Sequence, residues 1–241
     1  MQRLFFGRSK RKTSSRYWHG NKTMFIDFFL AAFGFVAVIF CLVVVIFSFP
    51  LQTSMSKGKF GERKIAKILS KLDPAVYHVM NDIMLSDGIR GTTQIDHVVF
   101  SVYGIFVIET KYYSGWIFGD FNSKRWCQSI YGVRSYFQNP YRQNYKHICC
   151  LSGLTGVPIN SFVQVVAFTG NCSVRTIEKL PKSFVTTGDE LCKFILSHKV
   201  EILSQRTIER VEKTVRSSLI EKNRVSLNAH RLYVKQRKEQ G

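Results

Sequence analysis

Acidic residues are scarce in this sequence: 16 Asp and Glu stand against 35 Lys and Arg, a formal net charge of +19. The shortage argues for a polyanionic partner, either nucleic acid or an anionic membrane surface, and composition alone does not choose between them. Metal-binding cysteine spacing is missing as well. Cys41, Cys127, Cys149, Cys150, Cys172 and Cys192 include no CxxC pair and no dense framework, which argues against a zinc site and for a reducing compartment. There is no internal repeat and no low-complexity tract, so a repeat architecture is excluded.

Charge is absent altogether from Phe28 to Phe49. At about 1.5 Å per residue, such a run spans a hydrocarbon core of roughly 30 Å. A cleaved signal has a shorter apolar region and a small-residue cleavage pattern, and no such pattern follows Phe49. The expected organisation is therefore a basic segment over 1–24, a transmembrane helix over 25–50, a small and polar linker over 51–58, a soluble domain over 59–200 and a basic helical tail over 201–241. Basic residues lie on both sides of the apolar run, from Arg8 to Lys22 and from Lys57 to Lys67, so the positive-inside rule is nearly silent. With its free thiols, the soluble domain is expected on the cytosolic side of the cell membrane, as part of a single-pass protein. Seven of the basic residues and one acid lie in the first fifty positions, leaving 28 against 15 beyond them. That net of +13 is too large to be a membrane-flank effect only.

Periodicity gives an α/β order. Ile65, Ile68, Leu69 and Leu72 recur at helical spacing between Gly61 and Leu72. Strand-like runs follow at Val76–Leu85, Thr93–Ser101 and Gly104–Lys111 and suggest a meander. A loop-rich stretch containing Trp116 and Trp126 leads to a helix starting near Asn139-Pro140 and a buried strand at Phe162–Phe168. A short strand at Ser183–Thr186, a helix capped near Asp189 and a helix over Gln205–Leu219 complete the domain.

The second and third strands carry the candidate chemistry. A turn between Val102 and Tyr103 sets Phe100 opposite Ile105, Val98 opposite Val107, Asp96 opposite Glu109 and Gln94 opposite Lys111. Side-chain alternation then gathers Gln94, Asp96, Glu109 and Lys111 at the open end of one face, and puts Ile95, Val99, Phe106 and Ile108 on the other. Two carboxylates facing across a ladder repel each other, so neutralising either is expected to relieve strain. A hard divalent cation would also compensate them, and Lys111 would then orient or deprotonate a water or stabilise charge on a phosphate. Glu62 lies on the apolar stripe of the first helix, where it either reaches the same metal or simply favours the helix N-terminus. His97 points to the opposite face as a core or supporting histidine. Trp116 and Trp126 read as buried anchors in preference to base-stacking groups.

The run Gln94-Ile95-Asp96-His97, then Gly104 through Lys111, then Gly115, Trp126, Asn139-Pro140 and Gln143 resembles the nuclease-related domain family, a branch of the Asp…Glu-x-Lys nucleases, over roughly Lys59 to Phe168. Gly61-Glu62 matches the family's opening helix. The resemblance implies a restriction-endonuclease-like core with Asp96, Glu109, Lys111 and Gln143 as catalytic residues. It also implies Glu62, Asp96, Glu109 and Thr110 as ligand positions for Mg²⁺ or Mn²⁺. The expected activity is hydrolysis of phosphodiesters in DNA, less so RNA, by a metal-activated water. The rival reading is a non-catalytic module that tethers nucleic acid to the membrane, and a third is a scaffold whose basic tail binds anionic lipid. Neither rival has a use for two opposed acids in a basic protein.

Overall fold

In a computed structural model, residues 16–89, 91–176, 183–185 and 188–239 are described. Residues 1–15 of the expected basic segment, Thr186 of the expected strand and the last two residues of the tail lie outside them. The chain divides between Met55 and Ser56 into two compact units.

The first helix, α1, runs Arg16–Leu69. Within it Ile26–Val44, mean hydropathy 2.6, is long and apolar enough to cross a membrane. The stretch expected as a linker, 51–58, is helical and belongs to α1. Its serine, threonine and glycine residues each weaken a helix by no more than about 1 kcal/mol, and no Gly- or Pro-containing turn pair interrupts it.

The second unit is mixed α/β. Strands β1 (His78–Ser86), β2 (Thr92–Ser101) and β3 (Gly104–Tyr112) form the expected antiparallel meander. Strand β3 then pairs in parallel with β7 (Phe162–Thr169), and β7 with the short β9 (Phe184–Val185), giving the order β1-β2-β3-β7-β9. Helices α2 (Pro140–Thr155) and α4 (Gln205–Ser217) cover one face, where Ile148, Leu151, Ile208, Val211 and Val215 pack with Val98, Phe100, Ile105 and Val107. On the other face, Ile65 and Leu69 of α1 and Leu191 and Ile195 of α3 (Gly188–Leu196) pack with Val99, Phe106, Ile108 and Val165. Within the stretch expected as a tail, Ile208, Val211 and Val215 of α4 pack into this core. The tail proper is α5 (Arg224–Glu239).

The loop-rich stretch around Trp116 and Trp126 is instead a second sheet. Strands β4 (Gly115–Gly119), β5 (Arg125–Ile130), β6 (Val133–Gln138) and β8 (Cys172–Thr176) run in the order β6-β5-β4-β8. These strands are only five or six residues long and carry glycine and serine, so alternation is hard to read in them. Trp126 is buried and stacks on Phe168 with ring centroids 6.1 Å apart, as an anchor should. Trp116 is 56% exposed, against expectation.

Candidate active site

The site begins where the meander stops pairing. The β2–β3 ladder follows the expected register from Ser101↔Gly104 to His97↔Ile108 and ends one step before Asp96 and Glu109. There Asp96 Oδ2 accepts a hydrogen bond from the Thr110 backbone N–H at 2.8 Å. The β1–β2 ladder also skips a step, between Asn81↔His97 and Ile83↔Ile95, at the level of Asp82 and Asp96. Asp82 has φ 52°, a left-handed conformation uncommon for a non-glycine residue. Side-chain alternation slips here: Ile83, Leu85 and Ile95 share a core with Met80 and Val98. Ile95 therefore leaves the face it was expected to share with Val99, and Gln94 leaves the polar cluster and donates to Asp82 Oδ1 at 2.6 Å.

Glu109 remains on β3, where it is 2% exposed and held at both oxygens. Lys111 Nζ donates to Oε1 at 2.6 Å, and His147 Nε2 lies 3.2 Å from Oε2. Lys111 Nζ also donates to Gln143 Oε1 at 2.9 Å. His147 Nδ1 lies 2.8 Å from the Thr93 hydroxyl. The network closes if Thr93 donates to Nδ1 and Nε2–H donates to Glu109, the tautomer that leaves no polar atom of the ring unpaired.

Helix α2 supplies Gln143 and His147 from successive turns of one face. Its start is fixed by Asn139, whose Oδ1 accepts from Tyr141 N–H while Nδ2 donates to the carbonyls of Asp120, Phe121 and Ser123. Asn139 is thus more than a cap, since it ties α2 to the β4–β5 loop. Asn144 Nδ2 donates to the carbonyls of Val107 and Val165, pinning the helix over β3 and β7. Sequence reasoning did not single out His147 or Asn144. The signal was there in the Gln143/His147 spacing of four, which puts both on the face above Glu109.

Burial and mutual repulsion set the two acids apart. The Asp96 carboxyl is raised well above its ordinary value by burial and by Glu109, against the lowering effect of the Thr110 N–H. Burial also pushes Glu109 up, but Lys111 and His147 outweigh it and hold Glu109 below the ordinary range. Burial disfavours charge on Lys111, yet Glu109 more than offsets this, so the ammonium pKa is raised.

Glu62 is raised by burial, then by Asp82, with Glu109 contributing, which places it within electrostatic reach of the same acids. Gly61 explains how it gets there. A Cβ at Gly61 would come within 2.8 Å of Tyr112 Cβ and 2.9 Å of Thr169 Oγ1, so only glycine lets α1 approach the ends of β3 and β7 so closely. Thr110 donates its backbone N–H to Asp96 Oδ2, and its hydroxyl is buried without a hydrogen-bond partner among the described residues. His97 is a core histidine, 1% exposed, with Nδ1 2.8 Å from Asn81 Oδ1 and a pKa lowered by burial to about 4.

The donor chemistry fits a hard cation: two carboxylates, one reluctant to ionise without a positive charge beside it, suit Mg²⁺ or Mn²⁺ completed by water and phosphate oxygens. Among the described residues no three His, Cys, Asp or Glu side chains converge into a ready-made metal cage. Any such ion would therefore rest mainly on Asp96 and Glu109.

The chain matches the family model of the nuclease-related domain over residues 57–169. An uncharacterized protein of Bacillus anthracis is 34% identical over 194 residues, covering 77% of this chain and 91% of the relative. No solved structure matches.

Proposed function

The chain belongs to the nuclease-related domain family, and from that premise we propose that it is a membrane-anchored, metal-dependent nuclease with a restriction-endonuclease-like core that hydrolyses phosphodiester bonds of DNA. The observation that carries this reading is geometric: Asp96 is held by the Thr110 amide at the point where the β2–β3 ladder ends, beside Glu109, with Lys111 Nζ 2.6 Å from Glu109 Oε1 and 2.9 Å from Gln143 Oε1. The pKa of Asp96 is raised there and that of Glu109 lowered. Acids whose surroundings push their pKa values apart are a feature of catalytic sites.

Asp96 and Glu109 are the residues that hold the cation, with Glu62 at the side and Thr110 orienting Asp96 through its amide. The bound ion would supply positive charge to the acids and to the phosphate oxygens. Lys111 stays an ammonium, so its part is to offer charge to the phosphate where negative charge develops, and abstracting a proton does not suit it. Gln143 fixes the lysine's direction, and His147 fixes the Glu109 carboxylate. Water completes the hydrolysis.

Incubation of the full chain in detergent with linear, circular and single-stranded DNA and with RNA tests the activity. Cleavage is expected with Mg²⁺ or Mn²⁺ and none with chelator. Metal-independent cleavage, or none under any condition, would sink the reading. One observation favours the alternative, a non-catalytic membrane-tethered nucleic-acid-binding module: both Glu109 oxygens are already engaged by Lys111 and His147, so a cation must share each oxygen with a protein partner.

The apolar Ile26–Val44 stretch supports the anchor. With free thiols and a nucleic-acid substrate on one side, the domain belongs in the cytosol. A single cysteine introduced into α5 of a cysteine-free variant should resist an impermeant maleimide in intact cells, and its labelling would reverse the topology.

A further inference from the structure

The second sheet has one face for which the proposed chemistry has no use. Its inner face sends Ile117, Trp126, Phe137 and Val174 into a core. The strand register fixes what the outer face presents, because partners across the ladders share a side. One row reads Arg175, Phe118, Cys127 and Tyr136, and the next reads Ser173, Trp116, Ser129 and Arg134. Arg125 stands beside Cys127 on the same side, two residues along β5.

Trp116, Phe118 and Tyr136 are 56%, 38% and 62% exposed, and all three arginines are exposed. The Arg175 guanidinium lies 5.9 Å from the centroid of the Trp116 ring, and Trp116 meets Phe118 edge to face at 6.3 Å. No acid and no aliphatic side chain occupies a strand position in these rows.

We infer that this face is a stacking platform for the unpaired bases of single-stranded nucleic acid, with Trp116, Phe118 and Tyr136 taking bases and Arg125, Arg134 and Arg175 taking phosphates. Charge complementarity carries the choice of partner: three cations and no acid suit a polyanion. The rings decide which polyanion, since every base has a π-face and duplex DNA hides it. A lipid-inserting surface would fill the spaces between the rings with aliphatic groups, where this one has serine and cysteine. The sheet starts at Gly115, four residues after Lys111, so the platform and the candidate site share a continuous chain segment. The inference takes its polyanion from the proposed nuclease activity and is tested by binding alone.

Fluorescence anisotropy of a labelled oligothymidylate of about twenty nucleotides, with the full chain in detergent and chelator, gives the affinity. Trp116→Ala and Tyr136→Ala are each expected to weaken it about tenfold, while binding of a duplex of equal length changes little. Trp116→Phe should restore most of the loss, and the melting temperature should not move, because these side chains are exposed. Unchanged oligothymidylate affinity in both alanine variants overturns the platform. So does quenching by brominated lipid, in reconstituted vesicles, of the fluorescence lost in Trp116→Phe, which would put the face on a membrane. If Lys111→Ala cripples cleavage while Trp116→Ala and Tyr136→Ala both bind normally, the platform falls and the nuclease stands. If Trp116→Ala loses binding in a chain that cleaves nothing, the nuclease falls and the platform stands.

Discussion

Asp96→Asn is expected to abolish metal-dependent cleavage while leaving the metal-free protein at least as stable as the parent, and Glu109→Gln to abolish cleavage while lowering stability by on the order of 3 kcal/mol. For a protein of this size that loss is a fall in melting temperature of about 6–12 °C. From sequence, the two acids look equivalent, facing each other across a ladder, and either neutralisation should relieve repulsion. The structure makes them unequal. Glu109 has its counter-charge in Lys111, with a second contact from His147, so an uncharged amide in its place would leave a largely buried ammonium without its anion. For Asp96, burial and two neighbouring acids oppose ionisation and outweigh the Thr110 backbone N–H and the more weakly acting Lys111.

The pH dependence of the metal-free protein separates the two residues as well. The raised Asp96 pKa means that the folded state keeps a proton which the unfolded chain releases near the ordinary value of 3.8. Its contribution to stability is full below that value and is lost as pH climbs through the folded pKa. Glu109 runs the other way: its contribution is full above the ordinary 4.5 and is lost as pH falls through the lowered folded pKa. Melting curves across this range should show the loss at rising pH vanish in Asp96→Asn and the loss at falling pH vanish in Glu109→Gln. A Glu109→Gln protein as stable as the parent would mean that the Lys111 ion pair contributes nothing. If either variant cleaves like the parent, its acid is not a metal ligand in the reaction.

The parts of this site legible in the sequence are those written into one hairpin. A two-residue turn and strict alternation sufficed to pair Phe100 with Ile105 and Val98 with Val107. They sufficed because both strands are buried on both faces, where a slip of one residue would expose a whole row. The same reasoning failed at Gln94 and Ile95, because it assumed that alternation continues past Asp96. The positive φ of Asp82 lies on a neighbouring strand, and nothing in the spacing of β2 reports it. His147 and Asn144 were hidden for a different reason. Their roles depend on α2 crossing β3 and β7, a tertiary relation that helical spacing makes available but does not specify. Trp116 and Trp126 show the limit of residue type: ten positions apart, one is a core anchor and the other is exposed, and only the β4–β5 register separates them.

Lys111→Ala should lower kcat by about 10²–10³-fold yet give a larger metal-induced rise in melting temperature than the parent shows. The lysine has two tasks in this geometry, and they oppose each other with respect to metal. Toward substrate, its ammonium is the positive charge nearest the two candidate ligands, so its loss removes stabilisation of the reacting phosphate. Toward the cation, it is a competitor by charge, because its ammonium lies 2.6 Å from Glu109 Oε1 and repels a second positive charge there. Without it, burial raises the Glu109 carboxyl, and the metal-free variant keeps two acids that no side-chain ammonium compensates. That protein should melt below the parent. A divalent ion then binds a site with no ammonium beside it and relieves repulsion that in the parent the lysine partly offsets, and an ion that binds only the folded state stabilises it by mass action. Scanning calorimetry with chelator and with saturating Mn²⁺ gives both melting temperatures for both proteins. If the Mn²⁺-induced rise disappears in Lys111→Ala, the lysine is part of how the ion is held, and its assignment as a charge reserved for the phosphate fails.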